Sequence, residues 1–534
     1  MKSIRASQRT SLWFPGLVVC FCALALYAQT FGMGFVSDDE NTILSNYALH
    51  SLGNIPELFT KGMWPAGSAD EYTYRPLFMA AMAIDYALWG GKPAGYHLIS
   101  VLLHATSAVL VFLIAQRLVN RQLPALLAAL LFAVHPVNVE PVAWISARCG
   151  LMSAGFALGA FYLYLRYRQD LRQVFLVWSI VLYLLAVFSK EDVIVFPMLV
   201  LIAEFSLFEW EGRRSLTRFF CYLMIAGFYF GVRTLVLKVV PGGGLPLSER
   251  LLTAPGMIAE YLRLLVFPYG QKVFYDIPIR REFWDAAVFG PLLCIIFLML
   301  GWLLALRYDR RIFFCLGWVF IGLALFSGVP FMPQPSPMAT RYLYFSAVGY
   351  CLLLGLLVAK FLENHGAAQA LSHRTVIVFA IIQVSIFAII SWQQSWVWRD
   401  DVVFRNVYVA DAPRVPQGHN GQGANYFRAG NFDRAAAAFS RAIELAPGYY
   451  DAHFNLGMTY LALEQTEKAT RQFRRVLELN PSFPDALDQL GRLSLRQRDY
   501  DAALGYFGRA VQIDPNNPRY QQNYRLAMQL KAGQ

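Results

Sequence analysis

The stretch LWFPGLVVCFCALALYAQTFGMGFVSDDE, residues 12–40, sets the character of the whole chain. Residues 12–31 within it are almost entirely apolar and long enough to cross a bilayer as a helix. Three basic residues precede them, Lys2, Arg5 and Arg9, and such residues beside a span mark the cytoplasmic side. The sequence therefore predicts a retained first span, with the following residues on the opposite face, called the outer face below.

Three consecutive acids, Asp38, Asp39 and Glu40, follow that span at the expected membrane surface. Adjacent carboxylates repel one another and lose hydration near lipid, so at least one of them should have a raised pKa. A carboxylate with a raised pKa is suited to take a proton from an incoming hydroxyl group. The acids could instead form a solvated loop that only ends the span, and their position alone leaves both interpretations open.

Composition is typical of a polytopic membrane protein. Of the 534 residues 57% are hydrophobic and only 15% are charged, against about 25% in soluble domains. The net charge of +11 lies mostly in short loops between apolar segments, where it sets topology and does not indicate nucleic-acid binding. The seven cysteines form no Cys-x-x-Cys pair, which indicates neither a metal site nor a disulfide framework. No Asn-x-Ser/Thr acceptor occurs, which favours a bacterial inner membrane over the endoplasmic reticulum of a eukaryote.

Clusters of arginine and lysine alternate with further apolar stretches, each an even number of spans from the N-terminus, as cytoplasmic loops require. This pattern predicts an all-α membrane domain of about eleven spans over residues 1–395. The predicted spans are residues 12–31, 96–117, 123–141, 150–167, 174–189, 193–210, 218–237, 286–306, 311–329, 342–361 and 374–392. Two further helices, 76–89 and 251–268, are expected to lie at the outer surface, with membrane insertion as the alternative.

A second pattern fills the C-terminal part, where proline recurs every 34 residues. The aligned positions are Pro413, Pro447, Pro481 and Pro515; Gly423, Gly457 and Gly491; Ala435, Ala469 and Ala503; and Phe439, Phe473 and Phe507. This arrangement resembles the tetratricopeptide repeat, a helical pair that stacks into a solenoid. We expect a linker at 396–413, then three repeats and a capping helix over 414–534. Such arrays bind polypeptides in a concave groove, although some only scaffold.

Several other polar residues lie at the expected outer ends of the spans. Arg75, Arg148, Lys190 and Arg341 could each neutralise a phosphate. Alternatively, Arg75 and Arg341 could only anchor helices, Arg75 beside Asp70, and Lys190 could only pair with Asp192. The segment around His135 and Glu140 could orient a sugar or a divalent ion, or could only cap a helix. One histidine and one glutamate make a poor metal site, so we assign no metal ligand and leave a divalent cation open.

Short motifs occur in a recognisable order along the chain. They are FVSDDENTILSN, YRPL, YHLISVLLHA, LLFAVHPVNVEPVAWISAR, SKEDVIVFP and RYLYFSAVGYCLLL, followed by repeats that begin near WVWRDDVVFRN. This order resembles the transmembrane and tetratricopeptide-repeat-containing O-mannosyltransferases, a branch of the GT-C glycosyltransferases. The resemblance implies transfer of mannose or another hexose from a polyprenyl phosphate to Ser or Thr of a protein on the outer face. The repeats would then bind the acceptor polypeptide.

The resemblance also implies roles for individual residues. Asp38 matches the acid assigned as catalytic base or acceptor-orienting group, and Asp39 matches its neighbour. Arg75, Arg148, Lys190 and Arg341 are expected at the donor phosphate; Glu40, His135, Glu140 and Asp192 are expected at the sugar or the acceptor. Asp192 departs from the family, in which glutamine or a small residue commonly follows the Lys-Glu pair, and its extra charge bears on the identity of the sugar. A transporter, flippase or scaffold with a peptide-binding domain is the alternative, although a transporter should carry ionisable groups near mid-span.

Overall fold

The computed structural model describes residues 13–63, 73–237, 245–326, 338–363 and 369–533, without the side chains of 369–373. Lys2, Arg5 and Arg9, which orient the first predicted span, lie outside these residues. Within them the chain is helical and has no strand, which confirms the predicted all-α class. The chain divides into two compact units, Met1–Asp401 and Val402–Gln534.

The first unit contains fifteen α-helices among its described residues, linked by short 3₁₀ and π turns. They are α1 (Trp13–Tyr27), α2 (Ile55–Leu58), α3 (Pro76–Trp89), α4 (Pro93–Val119), α5 (Gln122–Val134), α6 (Val139–Ala143), α7 (Arg148–Asp170), α8 (Gln173–Ser189), α9 (Phe196–Ser206), α10 (Arg213–Leu237), α11 (Leu247–Val266), α12 (Ala286–Tyr308), α13 (Arg310–Ala324), α14 (Tyr344–Glu363) and α15 (Gln369–Ser395). Each of the eleven predicted spans overlaps at least one of these helices.

Length and composition support several membrane crossings. In the part of the chain that is described, six helical segments are long and apolar enough to span a membrane. A seventh is added if α5 and the helical turns up to Ala143 count as one span, bent by 49°. The bend falls at His135, which precedes Pro136, and a residue before proline disfavours helical geometry. By the length and apolar composition of its helices, the chain is a multi-pass membrane protein. The count of eleven spans stays a prediction.

Two predicted cytoplasmic loops, after α7 and between α9 and α10, meet at the buried carboxylate of Glu204. One of its oxygens lies 2.8 Å from Arg168 Nε, and the other accepts from Ser215 Oγ at 2.5 Å and from Arg218 Nη1 at 2.9 Å. Glu211 bridges the same two arginines at 2.9 and 2.5 Å. This set of five residues, the Glu204 cluster, ties the ends of α7, α9 and α10 together. The basic residues that predicted cytoplasmic loops here are therefore also structural partners.

The second unit is built from helical pairs. Its elements are α16 (Asp401–Asp411), which begins at the last residue of the first unit, then α17 (Pro416–Arg428), α18 (Phe432–Leu445), α19 (Tyr450–Ala462), α20 (Thr466–Leu479), α21 (Pro484–Arg496), α22 (Tyr500–Ile513) and α23 (Pro518–Ala532). The pairs α17–α18, α19–α20 and α21–α22 follow the 34-residue period, and α23 comes last. Residues 396–413, expected to be a linker, include helix α16.

The aligned glycines of the repeats have a steric cause. A Cβ atom placed on Gly457 would lie 2.7 Å from the ring of Phe473, closer than such contacts allow. The other two aligned glycines, Gly423 and Gly491, meet phenylalanine rings in the same way, at 2.7 and 2.6 Å. Each phenylalanine therefore occupies the space of the missing side chain, and this contact packs the two helices of a repeat together.

The turn between the two helices of each repeat uses a left-handed residue. Gly430, Glu464 and Arg498 stand at equivalent positions, with φ of +76°, +58° and +61°. Glycine adopts this conformation freely, whereas a side chain makes it costly by about 1–2 kcal/mol. Two of the three repeats therefore carry a strained turn.

Candidate functional site

The three consecutive acids after α1 face different surroundings. Asp38 and Glu40 are exposed, whereas Asp39 is completely buried. Asp39 Oδ2 accepts a hydrogen bond from the backbone N–H of Val36 at 3.0 Å. Its Oδ1 accepts from the backbone N–H of Ser146 at 2.8 Å and from the Ser146 hydroxyl at 2.5 Å. Asp39 thus pins residues 36–40, the acid loop, to the segment that precedes α7.

The raised pKa predicted for one of the paired acids falls on Asp39. Burial raises its pKa to about 7, against opposing hydrogen bonds from Ser146 and Val36, and the neighbouring Asp38 charge adds to the rise. Both oxygens of Asp39 are occupied by donors of the fold. Of the two aspartates, Asp38 is the one exposed to an incoming hydroxyl group, and Glu40 beside them is exposed as well.

Arg341 and Lys190, two of the predicted phosphate ligands, both lie close to the ring of Tyr342. The Arg341 guanidinium lies 4.9 Å from the ring centre of Tyr342, and Lys190 Nζ lies 5.3 Å from the same ring. Arg341 also lies 5.2 Å from the ring of Trp144.

Arg75 reaches the same region through the start of α7. Its Nη1 lies 3.7 Å from Cys149 Sγ, and that thiol lies 3.6 Å from the carbonyl oxygen of Ser146. Because Ser146 also binds Asp39, residues 144–149 connect the acid loop with Arg75 and Arg341. We call Arg75, Lys190 and Arg341 the cation cluster.

Each member of the cation cluster has a carboxylate partner. Arg75 binds Glu191 with two nitrogens, at 3.1 and 2.6 Å, and Lys190 Nζ lies 2.6 Å from Asp192 Oδ2. Arg341 pairs with Glu140. The cluster is thus nearly neutral overall, and its cations are held in place by fixed neighbours.

Two buried polar atoms beside the cation cluster lack a hydrogen-bond partner within the described part of the chain. They are the second carboxylate oxygen of Asp192, Oδ1, and the indole Nε1 of Trp144. A buried polar atom without a partner costs about 1–3 kcal/mol, so it calls for an explanation. One acceptor and one donor left unused at the same site are what a bound polar molecule would satisfy.

Arg148, predicted as a phosphate ligand, lies outside the cation cluster. Its side chain is completely buried and pairs with Asp85 of α3. Its Nε donates to Ser100 Oγ at 3.0 Å, and its Nη2 donates to the carbonyl of Tyr96 at 2.5 Å. Arg148 therefore joins α7 to α3 and α4. Asp85, a lone acid in an apolar helix, is the sequence signal that could have revealed this pairing.

His135 and Glu140, predicted as sugar or acceptor ligands, are both engaged by contacts within the fold. His135 Nε2 lies 3.0 Å from the carbonyl of Leu265, and Nδ1 accepts from the backbone of Val137 at 3.3 Å. Glu140 Oε2 accepts from Thr340 Oγ1 at 2.5 Å and from the backbone N–H of Arg341 at 2.9 Å, while its other oxygen pairs with the Arg341 guanidinium. Glu140 thus aligns Arg341, and His135 caps the bend.

Metal ligation gains no support. No group of three or more His, Cys, Asp or Glu side chains is placed to hold a metal ion in the residues that were searched, which are the described ones. The divalent cation left open by the sequence therefore has no ligand set there. Sequence reasoning also missed Trp144 and Tyr342, because aromatic residues do not stand out in an apolar chain.

Comparison with protein families separates the chain into the same two parts. Residues 74–236 match the family described as dolichyl-phosphate-mannose-protein mannosyltransferase. That range holds Arg75, Lys190 and Asp192, but neither the acid loop nor Arg341. Residues 426–493 and 484–517 match families described as tetratricopeptide repeat, which confirms the predicted repeats.

Individual proteins give the same picture. Protein O-mannosyl-transferase Tmtc1 of Drosophila melanogaster is 34% identical over 183 residues, which are 34% of this chain and 21% of that protein. Protein O-mannosyl-transferase TMTC3 of Mus musculus is 25% identical over 80% of this chain and 51% of its own length. Protein O-mannosyl-transferase F38B6.6 of Caenorhabditis elegans is 23% identical over 81% of this chain and 63% of its own length. The chain thus spans less than two thirds of each of these relatives.

Proposed function

We propose that this chain, which resembles the tetratricopeptide-repeat-containing protein O-mannosyltransferases over most of its length, is a membrane glycosyltransferase. It moves mannose or another hexose from a polyprenyl phosphate to Ser or Thr hydroxyls of a protein. The observation that carries the proposal is the junction at residues 144–149. This segment contacts the acid loop, Arg75 and Arg341. It also carries Trp144 Nε1, one of the two polar atoms without a partner in the described structure.

The cation cluster suits the phosphate of the donor. When the sugar leaves a polyprenyl phosphate, negative charge develops on the phosphate oxygen, and fixed cations at that point stabilise the transition state. Arg341 and Lys190 share the Tyr342 ring and are held by carboxylates, so they need little reorganisation to meet this charge. An arginine can also bind phosphate through two nitrogens, which fixes the orientation of the leaving group.

The sugar would lie beside Asp192 and the indole nitrogen of Trp144. A bound hexose is oriented by donors and acceptors that meet its hydroxyl groups. Asp192 Oδ1 can accept from one hydroxyl and Trp144 Nε1 can donate to another, since both atoms are buried and unused in the described structure. Asp192 therefore stays a candidate sugar ligand, and Glu40, exposed on the acid loop, stays a candidate acceptor ligand.

Asp38 would act as the general base. Its carboxylate takes the proton of the Ser or Thr hydroxyl while that oxygen forms a bond to the anomeric carbon. The bond from the anomeric carbon to the phosphate oxygen breaks, and the electron pair leaves with the polyprenyl phosphate. A single displacement of this kind inverts the anomeric carbon and needs one carboxylate base. Asp39 supports the base by holding the acid loop in place.

The acid loop and the repeats would share the outer face of the membrane, where the repeats hold the acceptor polypeptide. Tethering an acceptor beside the site raises its effective concentration without any new contact at the reacting atoms. Reporter fusions at residue 38 and in the repeats should therefore report the same compartment. Opposite compartments for the two fusions would contradict this arrangement.

The test of the proposed function compares Asp38→Asn with Glu57→Gln in the full chain, reconstituted in lipid with a polyprenyl-phosphate hexose and a Ser/Thr-rich polypeptide. Glu57 is a matched control, an exposed acid in α2 that pairs with Lys61. We expect D38N to lose about 100-fold or more of hexose transfer, the usual contribution of a general base, and E57Q to keep it. Mass spectrometry of the polypeptide measures the transfer. Normal transfer by D38N would contradict the assignment, and no transfer by the unmodified chain would favour a transporter or scaffold.

A further inference from the structure

The acid loop is held on a second side by the chain that leaves α15. The backbone N–H of Gly34 donates to the carbonyl of Arg399 at 2.8 Å. The backbone N–H of Ser37 donates to the carboxylate of Asp401 at 2.9 Å. Residues 396–401, called the post-span segment, therefore contact the residues just before the acids from the far end of the sequence.

Ser37 has a backbone conformation that needs such support. Its φ is +55°, in the left-handed region that costs a non-glycine residue about 1–2 kcal/mol. A strained residue of this kind persists only where its surroundings hold it. The hydrogen bond to Asp401 is a contact on the strained residue itself, and it falls directly before Asp38.

Asp38 thus lies between two anchored residues. On one side Asp401 holds Ser37, and on the other Ser146 holds Asp39 through two hydrogen bonds. The chain between these anchors is a single residue long, which leaves Asp38 little freedom in the direction of its side chain. Trp398 of the post-span segment also stacks on Trp144, with ring centres 5.4 Å apart. The Trp144 ring in turn lies 5.2 Å from Arg341 of the cation cluster.

We propose that Asp401 is a positioning residue for sugar transfer, which acts on the proposed base Asp38 by fixing Ser37 in its left-handed conformation. The inference rests on the proposed function, because it assigns to Asp401 a part in the reaction assigned to Asp38. Asp401 touches neither donor nor acceptor in this arrangement. Its loss should therefore slow the transfer step and leave donor binding unchanged.

The experiment measures kcat and the donor KM of Asp401→Ala, Asp401→Asn and Asp400→Asn in the full chain, with D38N alongside. Asp400 is the matched control, since it loses the same charge one position away and pairs with the half-exposed Arg399. We expect D401A to lower kcat about 10-fold with an unchanged donor KM. We expect D401N, which keeps a carbonyl oxygen for the Ser37 N–H, to recover most of the rate, and D400N to match the unmodified chain.

The outcomes separate the two proposals. If D38N loses transfer while D401A has the same kcat as D400N, the positioning role is overturned and the proposed function stands. A D401A variant that loses donor affinity together with rate also overturns it, because that pattern is one of general structural damage. Transfer retained in D38N instead overturns the assignment of the base, whatever D401A does.

A second variant covers the case in which D401A does not fold. Ser37→Gly takes the left-handed conformation without strain, so the double variant S37G/D401A should fold where the single variant fails. The positioning role requires a lower kcat in the double variant than in S37G alone, because glycine permits the conformation but does not fix it. Equal rates in the two variants would overturn the role of Asp401.

Discussion

The Glu204 cluster and the cation cluster both consist of basic side chains paired with carboxylates. They differ in how many of the buried carboxylate oxygens already have a partner and in how exposed the cations are. Glu204 is fully buried, and its oxygens are taken by Tyr164, Arg168, Ser215 and Arg218. In the cation cluster the side chains of Arg75 and Arg341 are 20% and 24% exposed. Beside them, one oxygen of Asp192 and the indole nitrogen of Trp144 have no partner in the described structure.

This contrast separates a structural charge network from a binding site. A closed network has little to gain from a ligand, because both oxygens of its buried carboxylate are already occupied by neighbouring groups. An open network keeps its geometry through fixed pairs and gains the missing hydrogen bonds when a ligand arrives. The predictions below test that difference, in order of decreasing effect.

The largest difference should be in stability, between Glu204→Gln and Asp192→Asn. Removing one partner of a buried ion pair costs about 3–5 kcal/mol. We expect E204Q at the upper end of this range, because both Arg168 and Arg218 lose their buried partner and keep only the partly exposed Glu211. D192N breaks a single buried pair, with Lys190, and its amide oxygen can still accept from the ammonium group, so we expect a smaller loss of about 3 kcal/mol or less. Thermal unfolding of the two variants in lipid nanodiscs measures both. Equal losses would remove the distinction between the clusters.

Arginine-to-lysine changes should separate the clusters by function. Lysine keeps the charge but loses the planar fork, so Arg341→Lys should raise the donor KM about 10-fold with little loss of stability. The same change at Arg218, which binds Glu204 and Glu211 through two nitrogens, should lower the unfolding temperature and leave the donor KM of the folded protein unchanged. Steady-state kinetics with a polyprenyl-phosphate hexose, paired with melting curves, gives both values. A donor KM that moves as much in R218K as in R341K would count against the assignment of the donor site.

The buried acid of the acid loop predicts a pH dependence of stability. The pKa of Asp39 is about 7 in the folded chain, above its ordinary value of 3.8, because of burial. Between these values the folded state binds more protons than the unfolded state, so the free energy of unfolding falls as pH rises from about 4 to about 7. Asp39→Asn stays neutral and should remove this part of the slope. Melting temperatures of both proteins between pH 4 and 8 measure the difference, and parallel curves would show that Asp39 does not titrate in this range.

The smallest expected effect is a change in the stability of the repeats, whose residues belong to neither cluster. Glu464→Gly and Arg498→Gly relieve left-handed turns and should each raise the stability of the repeats by about 0.5–1 kcal/mol. Gly430→Ala, at the equivalent turn of the first repeat, should lower it by a similar amount. Differential scanning fluorimetry gives the sign, and hexose transfer to a short peptide should not change. A glycine variant that melts earlier would contradict the strain argument.

Most of the fold could be predicted because its signals are local. Apolar runs mark the helices of the first unit, and the 34-residue period marks the second, where glycine and phenylalanine fill one space. The site was harder, since Arg148 and Arg341 look alike in sequence. Their partners, Asp85 and Glu140, lie 63 and 201 residues away, and only the fold shows that one arginine is fully engaged while the other stays partly open.

Asp401 illustrates the same limit. It belongs to a motif noted in the sequence, WVWRDDVVFRN, yet its partner Ser37 lies 364 residues away. A left-handed conformation at a serine has no sequence signal comparable to that of glycine. The residues that orient the candidate base could therefore be identified only once the two chain segments were seen together.

The most direct test of the binding site is a structure of the full chain in lipid nanodiscs with a polyprenyl-phosphate hexose at saturating concentration. We expect the phosphate within hydrogen-bond distance of Arg341 and Lys190, and a sugar hydroxyl group on the unused oxygen of Asp192. The contradicting result is a phosphate bound elsewhere while Asp192 Oδ1 and Trp144 Nε1 still lack partners. It would show that this open cluster is not the donor site.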